Sequence, residues 1–196
     1  MKRAPGGFFL FALATLAACA SVPAEHFYTL TADAPGRLAP ADGAADIGVS
    51  MGPVTIAEMV DRPQLVVQVA AHRVVILEQQ RWAQPLASEI PRVVALNLAR
   101  WIGTAQAFAR PPIAGPDATF RVGLDVQRFD TVVGQEVCVE VAWTVRRQAG
   151  GQLISGRSVV HEPVSASGYD AIVAAHSRAL AVLSRDIAVA INRFTK

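Results

Sequence analysis

Two long runs of strict alternation constrain this chain more than any other feature. Phe120, Val122, Leu124 and Val126 alternate with Arg121, Gly123, Asp125 and Gln127, and Val137, Val139, Val141, Trp143 and Val145 alternate with Cys138, Glu140, Ala142, Thr144 and Arg146. A period of two with one apolar and one polar face is the pattern of strands in an antiparallel sheet with one buried side. Gly134-Gln135 and Gly150-Gly151 supply turns, and Leu153 to Glu162 reads as the returning strand, so the three runs predict an antiparallel meander.

A sheet with one apolar face requires a cover, and two segments have the helical period to provide it. From Tyr169 to about Phe194, Val173, His176, Leu180, Leu183, Ile187, Ala190 and Phe194 recur at three and four. Ser167 and Asp170 resemble a capping box at its start, with Asp in place of Glu or Gln. An earlier helix starts near Pro85 and carries Leu86, Ile90, Val94 and Leu98 on one face before Gly103 stops it. Pro91 inside that stripe removes a hydrogen bond and crowds the preceding turn, which predicts a short turn over 85–89 and a kinked or restarted helix after it.

Further strands are expected at His26 to Leu30 and at Ile47 to Met51, the second stopped by Gly52-Pro53 because proline cannot donate to a ladder. Val54 to Pro63 reads as irregular. Leu65 to Ala70 and Arg73 to Glu78 form a hairpin through Ala71-His72, and Gln79 to Gln84 leads into the helix. Asp33 to Asp46 and Gln106 to Asp117, rich in proline and glycine, read as loops. The expected fold class is α/β, α+β-like: a mixed, mostly antiparallel sheet packed by two main helices.

The N-terminus has a different character. Lys2 and Arg3 precede an apolar run from Phe8 that ends in Leu16-Ala17-Ala18-Cys19. A charged start, a short apolar core and small residues before the cut make a secretory signal. A cut placed before a cysteine is the pattern of a bacterial lipoprotein, in which the Cys19 thiol is acylated and becomes the new N-terminus. The run is well short of the ~20 residues needed to cross a bilayer. The chain therefore divides into a signal over 1–18, a lipidated tether over 19–25 and one domain over 26–196. Position 20 is Ala and position 21 is Ser, so the acidic residue that retains lipoproteins at the inner membrane in enteric bacteria is absent, which favours the periplasmic leaflet of the outer membrane.

Removing 18 of 196 residues leaves 178, the size of one ordinary domain. Lys2 and Arg3 leave with the signal, so 16 basic residues face 16 acidic ones and the net charge of +2 disappears. The mature chain gives no electrostatic case for nucleic acid. With Cys19 acylated, Cys138 is the remaining thiol and no intrachain disulfide forms.

No catalytic constellation emerges. Gly156-Arg157-Ser158-Val159-Val160 lacks the closing glycine of a nucleophile elbow, and no phosphate-binding glycine motif occurs. His26, His72, His161 and His176 lack ligand spacing for a metal. Cys138 sits mid-strand as a small packing residue, and Trp101 and Trp143 share the periodicity of core positions. These readings predict neither an enzyme nor a cofactor.

The order of several short strings carries a resemblance. The lipobox at Cys19, Phe27-Tyr28-Thr29-Leu30, Gly52-Pro53-Val54, Asp61-Arg62-Pro63-Gln64-Leu65, Arg81-Trp82-Ala83 with Pro85-Leu86, and Phe120 through Asp130 with Gly134 run through nearly the whole mature chain. Together they resemble the ABC-type transport auxiliary lipoprotein family, which includes paraquat-inducible protein C. The resemblance implies a three-layer α/β fold. It also implies a non-enzymatic periplasmic component of a mammalian-cell-entry (MCE) type system, whose partners are an ABC transporter complex and an MCE-type periplasmic protein moving phospholipids or other hydrophobic molecules. In that setting the chain is a docking adaptor held to the membrane through Cys19. A homo-oligomer is compatible with this role. A lipid carrier that shields an acyl chain and a structural envelope lipoprotein are the rival readings. Gly52, Pro53, Asp61, Arg62, Pro63, Trp82, Pro85 and Leu86 are the candidate interface or motif residues.

Overall fold

The computed structural model describes residues 23–36, 47–109 and 118–194. Cys19 and the signal lie outside the described residues, as does the rest of the loop expected between Asp33 and Asp46. The described strands are β1 (His26–Tyr28), β2 (Val49–Ile56), β3 (Gln64–Ala70), β4 (Arg73–Trp82), β5 (Ala107–Phe108), β6 (Phe120–Val132), β7 (Glu136–Arg147) and β8 (Leu153–Pro163). The helices are α1 (Leu86–Ile102) and α2 (Tyr169–Asn192).

The meander forms as its alternation requires, with β7 antiparallel to β6 along its length and to β8 on its other side. Gly134, Gly150 and Gly151 take positive φ in its turns, where a side chain would be strained. β6 is long enough that its free edge serves two neighbours. Residues 120–126 pair in parallel with β2, and Thr131-Val132 pair in parallel with β3. β5 extends the sheet beyond β2, the β3–β4 hairpin extends it at the other end, and β1 joins β4 in parallel at the outer edge. The result is a mixed sheet whose long ladders are antiparallel.

Val122, Leu124, Val126, Val137, Val139, Val141 and Val145 are buried on the face covered by the helices. α1 lies over β2 and β5 and α2 over β7 and β8, with the helices side by side. The Trp101 indole donates to the Ala181 carbonyl at 3.1 Å across their seam. The opposite sheet face is polar, with Arg128 ion-paired to Asp130, Arg157 to Glu140, and His161 Nδ1 2.8 Å from the Glu136 carboxylate. Cys138 is buried on that face, and burial pushes its thiol above its ordinary value.

The third layer is a strap. Residues 29–36 leave β1 and run along the helix pair, fastened by side chains rather than by a ladder. Glu89 is wholly buried in α1. It accepts hydrogen bonds from the Thr29 hydroxyl and, at 3.0 Å, from the Leu30 N–H. Arg92 and Arg100 donate to the Leu30 and Ala32 carbonyls, Asn97 accepts from the Ala34 N–H, and Ser177 of α2 accepts from the Thr31 N–H. The Leu30, Thr31 and Ala34 amides and the Leu30 and Ala32 carbonyls thereby find partners without secondary structure of their own.

Several sequence expectations change. β2 does not stop at Gly52-Pro53 but continues to Ile56. One extra residue between Met51 and Val54 makes a bulge, where the missing proline N–H breaks no ladder bond. α1 is helical from Leu86 to Ile102, with Pro85 at its N-cap and Pro91 inside, so the turn over 85–89 and the restart are not present. The carbonyl that Pro91 leaves without an N–H belongs to Ala87, an exposed position where water can replace it. The capping box at Ser167 is absent: Gly168, at φ 100°, is the N-cap and no side chain caps the helix. β4 runs on to Trp82, and the expected loop after Gln106 contains β5.

Gly156 marks a place where the core leaves no room. A Cβ there would lie 2.3 Å from the Trp143 ring, which fills the space above β8 while its indole donates to Ser158. We expect Gly156→Ala to lower stability by about 1–3 kcal/mol in urea denaturation. Val159→Ala, at an exposed position two strand residues beyond Arg157, should stay within about 0.5 kcal/mol.

Candidate functional site

The motif residues do not converge on one site. Gly52 and Pro53 form the β2 bulge, where a Cβ on Gly52 would come within 3.2 Å of the Val122 carbonyl and the Arg121 side chain. Asp61-Arg62-Pro63 is the entry to β3, and the Pro63 carbonyl accepts from the Trp82 N–H at 2.7 Å, bringing these two motif strings together. The Ala83 N–H donates in turn to the Tyr28 carbonyl. Trp82 and Leu86 are buried core residues, and Pro85 is the helix cap. Along β6, the partners of the bulge and of β3 are some eight residues apart, about 25 Å at strand rise. These residues fix turns and core.

Under the Pro63–Trp82 junction lies a buried aromatic cluster. His176 of α2 stacks on Phe129, with ring centroids 4.1 Å apart, and meets Trp82 edge-on at 5.9 Å. Its Nε2 is 3.2 Å from the Thr131 hydroxyl. Full burial lowers its pKa from 6.5 to about 3, so the ring is neutral at physiological pH. Among the described residues no group of three or more His, Cys, Asp or Glu is placed to hold a metal ion.

The concave apolar feature lies beside this cluster. Val67, Val69, Val75 and Leu77 of the β3–β4 hairpin form one wall, Val133-Gly134 of the β6–β7 turn the floor, and Val164 to Tyr169 with Ile172 the other wall. The groove has a volume of about 780 Å³, within the range of small-ligand sites. Tyr169 meets Tyr28 of β1 edge-on at its rim, with centroids 6.4 Å apart, and the Tyr28 hydroxyl donates to Gln80. Burial, then the Asp170 carboxylate and Tyr169, hold the Tyr28 phenol above its ordinary value. Sequence reasoning named none of these groove residues as a site, because three distant segments build it. The signal available was the run of valines in the hairpin, Val66-Val67 with Val69 and Val74-Val75, interrupted only by Gln68.

The model of the ABC-type transport auxiliary lipoprotein component matches residues 28–188. The chain belongs to that family. Its match begins at Tyr28, where β1 hands over to the strap, and ends within α2, so the strap, β2 to β8, α1 and most of α2 lie inside it. Membership associates the chain with the cell envelope and with a transport system. No curated protein matches the sequence. The crystal structure of an uncharacterized protein superposes with a TM-score of 0.66 at 20% identity, covering 86% of this chain and 99% of that one. A protein from Xanthomonas campestris gives a TM-score of 0.60 at 16% identity, covering 83% and 92%. These two share the fold.

The buried histidine gives a pH signature. Its folded pKa is below its unfolded value, so above pH 6.5 it contributes nothing. As pH falls from 6.5 toward 3, the unfolded chain takes up a proton that the folded chain refuses, and stability is lost. Between pH 7 and 4.5 the wild type should lose about 2–3 kcal/mol more than His176→Phe, whose ring keeps the stack on Phe129. Urea titrations at both pH values check this, and equal losses would show that the histidine is protonated in the fold.

Proposed function

We propose that this auxiliary lipoprotein is a non-enzymatic docking adaptor of an MCE-type transport system, holding its periplasmic protein and ABC transporter complex to the outer membrane through acylated Cys19. On this reading residues 1–18 are the export signal, 19–25 the tether and 26–196 the one domain, and the moving cargo is phospholipid or another hydrophobic molecule. Two or more acyl chains give stable anchoring where one does not.

The observation that carries the proposal is where the tether meets the fold. β1 starts at His26 on the outer edge of the sheet, Glu25 pairs with Arg81 of β4, and the strap behind β1 is bound into both helices. A pull on the lipid is passed to the core within a few residues.

The groove favours one second reading, in which the domain shields an acyl chain. Native mass spectrometry of the detergent-extracted full chain separates them. A phospholipid mass beyond the covalent lipid supports the carrier, and its absence the adaptor.

For the adaptor we expect the wild type to fractionate with the outer membrane and to co-purify with the MCE-type protein after detergent extraction. Cys19→Ala should leave that fraction. A Cys19→Ala protein still in the outer membrane, or a wild type that never retains the partner, contradicts the reading.

A further inference from the structure

The end of the β3–β4 hairpin is apolar on both faces. Val69 and Val75 face the groove, Val74 and Ile76 face the other way, and all four are 38–42% exposed. Ala70, Ala71, His72 and Arg73 at the tip are exposed as well. An ordinary surface hairpin alternates apolar and polar residues so that one face is wetted. Here the outer half has a single polar strand side chain, Gln68 opposite Val74, and its amide is turned onto the Ala70 and Ala71 carbonyls of the tip. From Arg62 to Leu77 there is no acidic residue, and the charged or titratable side chains are Arg62, His72 and Arg73. An element that is apolar on its flanks and basic at its tip suits the interface of a bilayer with anionic headgroups.

The position of the tether supplies the second observation. β1 is parallel to β4, with His26 opposite Gln80, so the chain upstream of His26 heads toward the hairpin tip. Cys19 is seven residues before His26, and Arg73 is seven residues before Gln80. Seven strand residues span about 23 Å, so the tether has chain enough to bring its lipid to the tip. Phe27, 61% exposed in β1, lies along the same edge.

We infer that the β3–β4 hairpin tip is a second membrane contact, seated in the leaflet that holds the Cys19 lipid. It rests on acylation of Cys19. Two contacts, one covalent lipid and one hairpin, fix the orientation of the domain where a tether alone would let it swivel. They also turn the mouth of the apolar groove, whose wall is the same hairpin, toward the leaflet.

The test uses the full-length acylated protein reconstituted in vesicles of phosphatidylethanolamine and phosphatidylglycerol. An environment-sensitive dye is placed on Ala71→Cys at the tip or on Ala149→Cys, exposed in the β7–β8 turn, since Cys138 is buried. We expect the dye at position 71 to shift to the blue and to be quenched by doxyl-labelled lipid, and the dye at 149 to do neither. Adding Val74→Asp with Ile76→Asp, both at exposed positions, should abolish the quenching while the protein still floats with the vesicles. An unquenched dye at 71 on vesicle-bound protein overturns the inference and leaves the anchor intact. Equal quenching at 71 and 149 overturns it too. A blue shift without vesicles that grows with protein concentration overturns it by assigning the hairpin to a second copy of the chain. Protein that carries no acyl group and does not float overturns both the anchor and the inference built on it.

Discussion

A buried carboxylate decides how this domain is put together. Glu89 has no contact with solvent, yet it accepts from the Thr29 hydroxyl and the Leu30 N–H and lies 3.3 Å from the Arg92 guanidinium. Taking a charge out of water costs several kcal/mol, and only a well-placed set of donors offsets it. Two of the three donors, the Thr29 hydroxyl and the Leu30 N–H, belong to the strap, and all three act on one oxygen while Oε2 is buried without a partner, so without the strap only Arg92 of the helix itself would remain to offset that burial. Conversely, the strap has no ladder, and its amides need Glu89, Asn97 and Ser177. Neither half is complete alone.

That mutual dependence carries through the rest of the structure. With the strap fixed, β1 is held against β4, and Tyr28 meets Tyr169 at the start of α2. The groove then has a defined rim, the hairpin a defined direction, and the tether a defined exit along the sheet edge. Beneath them His176, Phe129 and Trp82 fill the corner where hairpin, β6 and α2 meet. The histidine there is neutral, as its burial ensures, with Nε2 against the Thr131 hydroxyl and Nδ1 buried without a hydrogen-bond partner.

Much of this was legible in the residues. The alternation of Phe120 to Val126 and Val137 to Val145 located the meander, and the stripe from Val173 to Ile187 located the helix that covers it. The family strings were legible as order, and the structure gives several of them physical reasons: Thr29 and Leu30 are the ligands of Glu89, Trp82 closes the junction with Pro63, and Gly52-Pro53 is a bulge. What was hidden depends on contacts distant in sequence. Glu89, an acid in the first turns of a helix, looks like an ordinary surface residue suited to the helix dipole. Its burial is set by a strap some sixty residues away. Strands near His26 and Ile47 were legible, but their parallel pairing, β1 with β4 and β2 with β6, leaves no trace in the sequence, and the groove draws on three separate segments. Pro91 misled for a related reason, since packing of the Leu86, Ile90, Val94 and Leu98 face outweighs one missing hydrogen bond.

The central claim is that the strap that follows β1 is welded to the helix pair, although it has no ladder of its own. Native-state amide hydrogen exchange at Leu30 and Ala34 tests it most directly, because these N–H groups are in no strand or helix and are held by Glu89 and Asn97. The account predicts that both exchange only through global unfolding, with the same free energy and denaturant dependence as amides in the middle of α1. Exchange at the rate of an open loop, insensitive to denaturant, would contradict it.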